Sequence, residues 1–130
     1  MSNRRRPGIL NLYTDEFLHT RAWFERRDRW FTEEQAAGRA LACAACERPA
    51  DKSQLELHHL DYHGVILESG RWEAREAHED LVPMHPYCHE LLHRLIDRDA
   101  VLARNRTRRA ASHLALDRLR RKLATPQEPT

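Results

Sequence analysis

Residues 79 to 93 read Glu-Asp-Leu-Val-Pro-Met-His-Pro-Tyr-Cys-His-Glu-Leu-Leu-His, and the fold turns on how that stretch is parsed. His85 and Cys88 flank a Pro-Tyr turn of the knuckle type and form half of a metal site. His89 and His93 lie four residues apart on the Leu-Leu helix that follows. Four residues of helix is about 400° of rotation and roughly 6 Å of rise, so both imidazoles leave one face a turn apart. A divalent cation fits between them. Two metal half-sites therefore share one helix start.

Working outward, each half-site finds a complement upstream. Cys43 and Cys46 form a CxxC pair, and on its own such a pair is weak, since redox motifs share it. Joined to His85 and Cys88 it becomes four soft or borderline ligands in two pairs, the set of a closed tetrahedral zinc site. The odd count of three cysteines is then explained, and a disulfide framework is not expected. His58 and His59 sit in residues 53 to 60, which alternate polar and apolar and predict a strand. On a strand the two rings point to opposite sides, so one faces a metal while the other meets a different partner.

The rest of the chain supplies a scaffold. Residues 1 to 13 are basic and irregular, and are expected to be mobile. Thr14 is a candidate N-cap, with Asp15 and Glu16 in the first turn where the helix dipole favours acids. Phe17, Phe24 and Phe31 recur every seven residues beside Trp23 and Trp30, predicting one amphipathic helix over 14–40 whose aromatics cover the core. Residues 41–97 form the central unit, with strands at 53–60 and 65–67, a charged loop or helical turn at 71–80, and a helix from 87 to 97. Residues 98–130 form a basic C-terminal helix and tail, with Ser112 and His113 interrupting the apolar stripe.

Net charge is only +2, but the charges are segregated. Arg104, Arg106, Arg108, Arg109, Arg118, Arg120, Arg121 and Lys122 face Asp117 alone, whereas residues 51–82 carry eight acids against three cations. A basic tail beside an acidic, histidine-rich centre fits a polyanion held near a bound cation. No apolar run approaches the length of a membrane helix and no signal stretch is visible, so a cytoplasmic protein with no membrane partner is expected.

Taken together, Cys43, Cys46, His58, His59, Asp80, His85, Cys88, His89 and His93 resemble the HNH endonuclease family, zinc-knuckle subgroup, over roughly residues 41 to 95. Eight residues separate Asp80 from His89 and three separate His89 from His93, which is the family's spacing. Asp80 stands where the family has Asn, and His85 where a second CxxC has Cys. The resemblance implies an α+β fold: a ββα-metal core stapled by structural Zn²⁺ and flanked by a long helix on either side. It also implies hydrolysis of DNA, probed first as duplex, leaving 5′-phosphate and 3′-hydroxyl ends. His58, His89 and His93 would bind one catalytic divalent cation (Mg²⁺, Mn²⁺, Ni²⁺ or Zn²⁺), His59 would be the general base, and Asp80 or a backbone carbonyl would orient its ring. The eight basic residues from Arg104 to Lys122 would contact phosphates. Family proteins of this size occur in phage packaging, mobile elements, restriction and toxin systems, and nothing in the sequence chooses among them; a homodimer or a larger DNA-processing machine is a possible assembly.

Two other functions fit parts of the pattern. A zinc-stapled module could bind nucleic acid without cutting it. His89-Glu90-Leu-Leu-His93 also matches HExxH, in which Glu90 would be a protease base, although that reading leaves His58, His59 and the cysteines unused.

Overall fold

The structure, a computed structural model, describes residues 15–102 and 106–124. Thr14, the expected cap, and Arg104 lie outside the described residues. Residues 15–17 are helical, the chain turns over 18–20, and α1 (Arg21–Ala36) starts afresh. The single helix expected over 14–40 is thus broken. Thr20 causes the break: its hydroxyl donates to the Phe17 carbonyl at 2.7 Å and accepts the Trp23 N–H at 3.2 Å, capping α1. Restarting the helix shifts its phase. Trp23, Trp30 and Phe31 are buried, but Phe24 is 52% exposed, so the seven-residue aromatic repeat does not map onto one face. At the far end Gly38 adopts φ +75°, donating to Gln35 while Arg39 donates to Glu34, a Schellman stop that ends the helix at Ala36.

Residues 41–50 fold into a knuckle. Its ends meet through the Ala42–Pro49 bridge, and Glu47, at φ +64°, turns the chain so that its N–H reaches Cys43 O at 2.9 Å. A 3₁₀ turn (Lys52–Gln54) then shortens the expected 53–60 strand to β1 (Glu56–His59). β2 (Val65–Glu68) and β3 (Arg71–Ala74) form a hairpin through Ser69 and Gly70, both at positive φ. The charged 71–80 stretch, expected as loop or helical turn, therefore contributes a strand before its 3₁₀ turn (His78–Asp80). Arg71 and Glu73 do not forbid a strand because this small sheet leaves them partly solvated.

β4 (Leu81–Met84) returns antiparallel to β1, pairing His58 with Val82 and His59 with Leu81. α2 (Pro86–Leu102) follows at once and runs past residue 97, where the sequence suggested an end. α3 (Arg108–Leu123) is capped by Thr107, whose hydroxyl accepts from Ala110 N at 3.1 Å, and packs back along α2. Among the described residues the architecture is α+β, with α1, α2 and α3 packed with two small antiparallel sheets. Phe17, Trp23, Leu57, Leu81, Met84, Leu92 and Leu116 build one core, and burying each large apolar side chain is worth about 1.5–3 kcal/mol. Among the described residues no helix is long and apolar enough to cross a membrane.

Gly64 closes the open end of the hairpin. Its carbonyl accepts from Arg75 N at 2.8 Å, and a Cβ at this position would sit 2.6 Å from the backbone of Arg75 and Glu76. Gly64→Ala is expected to lower stability by about 1–3 kcal/mol, as overpacking against backbone does. Thermal melting of the variant checks this; an unchanged midpoint contradicts the close approach.

Candidate metal centres and the buried histidine

The knuckle and the start of α2 bring Cys43, Cys46, His85 and Cys88 together, with ligand atoms within 4.8 Å of one another. This Cys3His cluster could hold a zinc ion. Local geometry prepares it. Cys43 Sγ accepts from Ala45 N and His85 N, both at 3.4 Å, and Cys46 Sγ lies 3.4 Å from His85 Nδ1. Ala44 N donates to Pro83 O at 2.7 Å, clamping the knuckle against β4. Burial alone would raise the Cys43 pKa, but the donors around it win and bring the thiol down to about 7. Burial and the neighbouring Cys43 and Cys46 sulfurs push Cys88 up to about 12. Four donors held this close cannot all be ligands without a cation to neutralise the thiolates.

A second cluster forms where β1 faces α2. His58, His89 and His93 place one ring nitrogen each within 4.8 Å of the others. His89 Nε2 is 3.2 Å from His58 Nδ1 and 3.0 Å from His93 Nε2. His89 Nδ1 meets Glu56 Oε1 at 2.8 Å, which fixes the proton on Nδ1 and turns the Nε2 lone pair inward. His58 is fully buried, and its pKa is held below the ordinary imidazole value by burial and then by Arg108 and the other rings. A neutral ring is the ligating form. Three imidazoles converging on one point is the chemistry of a divalent cation site, and the residues present fit such an ion.

His59 points to the other side of β1, as the strand geometry requires. It is 2% exposed, between Trp23 at 4.7 Å and a stacked Tyr62 at 4.5 Å. Its Nε2 meets Glu76 Oε2 at 2.7 Å. Glu76 is itself buried, and its backbone carbonyl accepts from Arg26 Nε and a second Arg26 nitrogen at 3.1 and 3.0 Å. Burial lowers the His59 pKa while Glu76 opposes the shift.

Asp80 is not the group that contacts the His59 ring. Its carboxylate is 2.7 Å from Arg109, and its carbonyl accepts from Leu60 N at 2.8 Å, so it braces β1 against α3. The physical reason is charge: an Asp at this place attracts the guanidinium that also binds Asp61 at 3.0 Å. The ring is oriented by Glu76, in a stretch the sequence offered no reason to single out.

Several arginines of the basic helix are also engaged within the chain. Arg106 pairs with Asp99, Arg121 with Asp117, and Arg120 donates to Ala44 O. Arg108 donates to His59 O at 2.9 Å and lies over Tyr62. Arg108 and Arg109 therefore fasten α3 to the site, while Arg118 and Lys122 are exposed. Glu90, the base an HExxH protease needs, is exposed and paired with Arg94 at 2.9 Å. The residues missed in the sequence were Glu76, Ser112, Arg26 and Glu56. Only Glu56 carried a signal, two places before His58 on the same strand face.

Comparison with protein-family models, curated proteins and solved structures finds no match.

Proposed function

We propose that the protein is a metal-dependent endonuclease of the HNH type, hydrolysing DNA phosphodiester bonds from a ββα-metal core made of β1, β4 and α2. One observation carries the reading: three imidazoles, from β1 and from one face of α2, converge on a point while the next residue on β1, His59, is held by a carboxylate. His58, His89 and His93 would hold the cation, which when bound supplies a Lewis acid for the phosphate and charge for the leaving 3′-oxygen. With Nε2–H donated to Glu76, His59 has its Nδ1 lone pair to take a proton from water, and Glu76 stabilises the imidazolium that results. Trp23 and Tyr62 fix the plane of the ring. Because His59 is only 2% exposed, the base role requires that substrate binding open a path for water to its Nδ1. Phosphate contacts fall first to the exposed Arg118 and Lys122, giving salt-dependent affinity.

The burial of His59 favours a second reading, a zinc-stapled nucleic-acid-binding module without catalysis. Supercoiled plasmid incubated with the zinc-loaded protein and Mg²⁺, Mn²⁺ or Ni²⁺ separates the two. Nicked or linear product with wild type, lost in His89→Ala, is the expected result. DNA binding with no cleavage in any of the three metals would leave only the module.

A further inference from the structure

Ser112 was expected merely to interrupt the apolar stripe of the C-terminal helix, yet it is completely buried, near the N-terminal end of that stripe. Its Oγ lies 2.9 Å from His58 Nε2, fifty-four residues away in sequence. We propose that Ser112 is a positioning residue of the histidine metal site, accepting the Nε2–H of His58 so that the Nδ1 lone pair points between His89 and His93. The inference rests on the cation reading of that cluster.

A ring that binds a metal through Nδ1 carries its proton on Nε2, and a buried N–H needs an acceptor. For His89 the corresponding acceptor is Glu56, half exposed at the rim. For His58 no solvent is within reach, since its residue exposure is zero, and Ser112 is the acceptor the fold provides. The helix that carries it is fixed in register by its first turn. Arg108 donates to His59 O at 2.9 Å, and Arg109 spans Asp61 and Asp80 at 3.0 and 2.7 Å. Ala111 and Ala115, small residues either side of Ser112, allow α3 to lie close. The basic segment is thus a wall of the metal site, and its arginines are spent in part on setting the hydroxyl against His58.

Ni²⁺ titration calorimetry on the zinc-loaded full chain tests this. Wild type is expected to take one Ni²⁺ beyond its zinc, and Ser112→Ala to bind it about 10–100-fold more weakly, the usual effect of losing the partner of a ligating histidine. Zinc content should be unchanged. The pair Ser112→Thr and Ser112→Val, alike in size and differing in the hydroxyl, guards against a packing effect: only the threonine variant should retain Ni²⁺ affinity. Equal affinity in that pair, or in wild type and Ser112→Ala, overturns the proposal while leaving the three-histidine site standing. If wild type takes no Ni²⁺, the cation reading itself fails, and the role of Ser112 with it.

Discussion

Stripping zinc from the protein with a strong chelator is expected to unfold it, and Cys46→Ser to lower the melting temperature further than any single core truncation. Structural zinc in small cysteine and histidine sites contributes about 10–16 kcal/mol of apparent binding free energy, which is folding free energy when the site does not exist in the unfolded chain. A large-to-small core substitution costs about 2–5 kcal/mol, and a domain of this size has only about 5–15 kcal/mol in total. The Cys3His cluster joins the 41–50 knuckle to the start of α2, and that same turn of helix leads directly into His89. Without the ion, Cys88, pushed up to about 12, keeps its proton and Cys43, held near 7, is partly ionised, so no metal–ligand bond links the knuckle to the start of α2. Metal analysis should therefore find one tightly held zinc per chain and a weaker second site. Should Cys46→Ser melt with wild type, the cluster is not a metal site.

His59→Ala is expected to reduce plasmid cleavage by about 10²–10⁴-fold, the range over which a positioned acid–base side chain acts, while zinc and the second ion remain bound. The separation is possible because His59 and His58 face opposite sides of β1 and have different partners. Removing the ring also takes away the hydrogen-bond partner of Glu76 Oε2, leaving Arg26, 4.0 Å from Oε1, beside the buried carboxylate, and a lost buried hydrogen bond costs about 1–3 kcal/mol. The rate should accordingly be measured well below the melting point of both proteins. Glu76→Gln, which keeps the shape and loses the charge, should give an intermediate rate. Cleavage by His59→Ala at the wild-type rate would make His59 a core residue and require another base.

The parts of this protein that were legible in the sequence are those whose geometry is local. CxxC, the Pro-Tyr turn and the four-residue step from His89 to His93 each fix a ligand pair within one turn of chain, so two pairs of ligands and one helix face could be read directly. Alternation over residues 53 to 60 gave the opposed directions of His58 and His59 for the same reason. The break at Thr20 was hidden because the aromatic repeat continues across it and only the hydroxyl's choice of partners reveals the new phase. The 71–74 strand was hidden by its charges, which the small hairpin leaves partly in water.

Taken by itself, the sequence determined three ligand pairs at metal spacing, Cys43 with Cys46, His85 with Cys88 and His89 with His93, and an adjacent His58 and His59 upstream. The tertiary structure alone decided which groups complete them. Glu76 meets His59 across a hairpin, Ser112 meets His58 from the last helix, and Arg109 draws Asp80 away from the ring it was expected to orient. Each of these contacts joins residues that no periodicity relates. A polar or charged group costs stability when it is taken from water without a partner, and the partner it finds is chosen by how the helices and sheets close over one another.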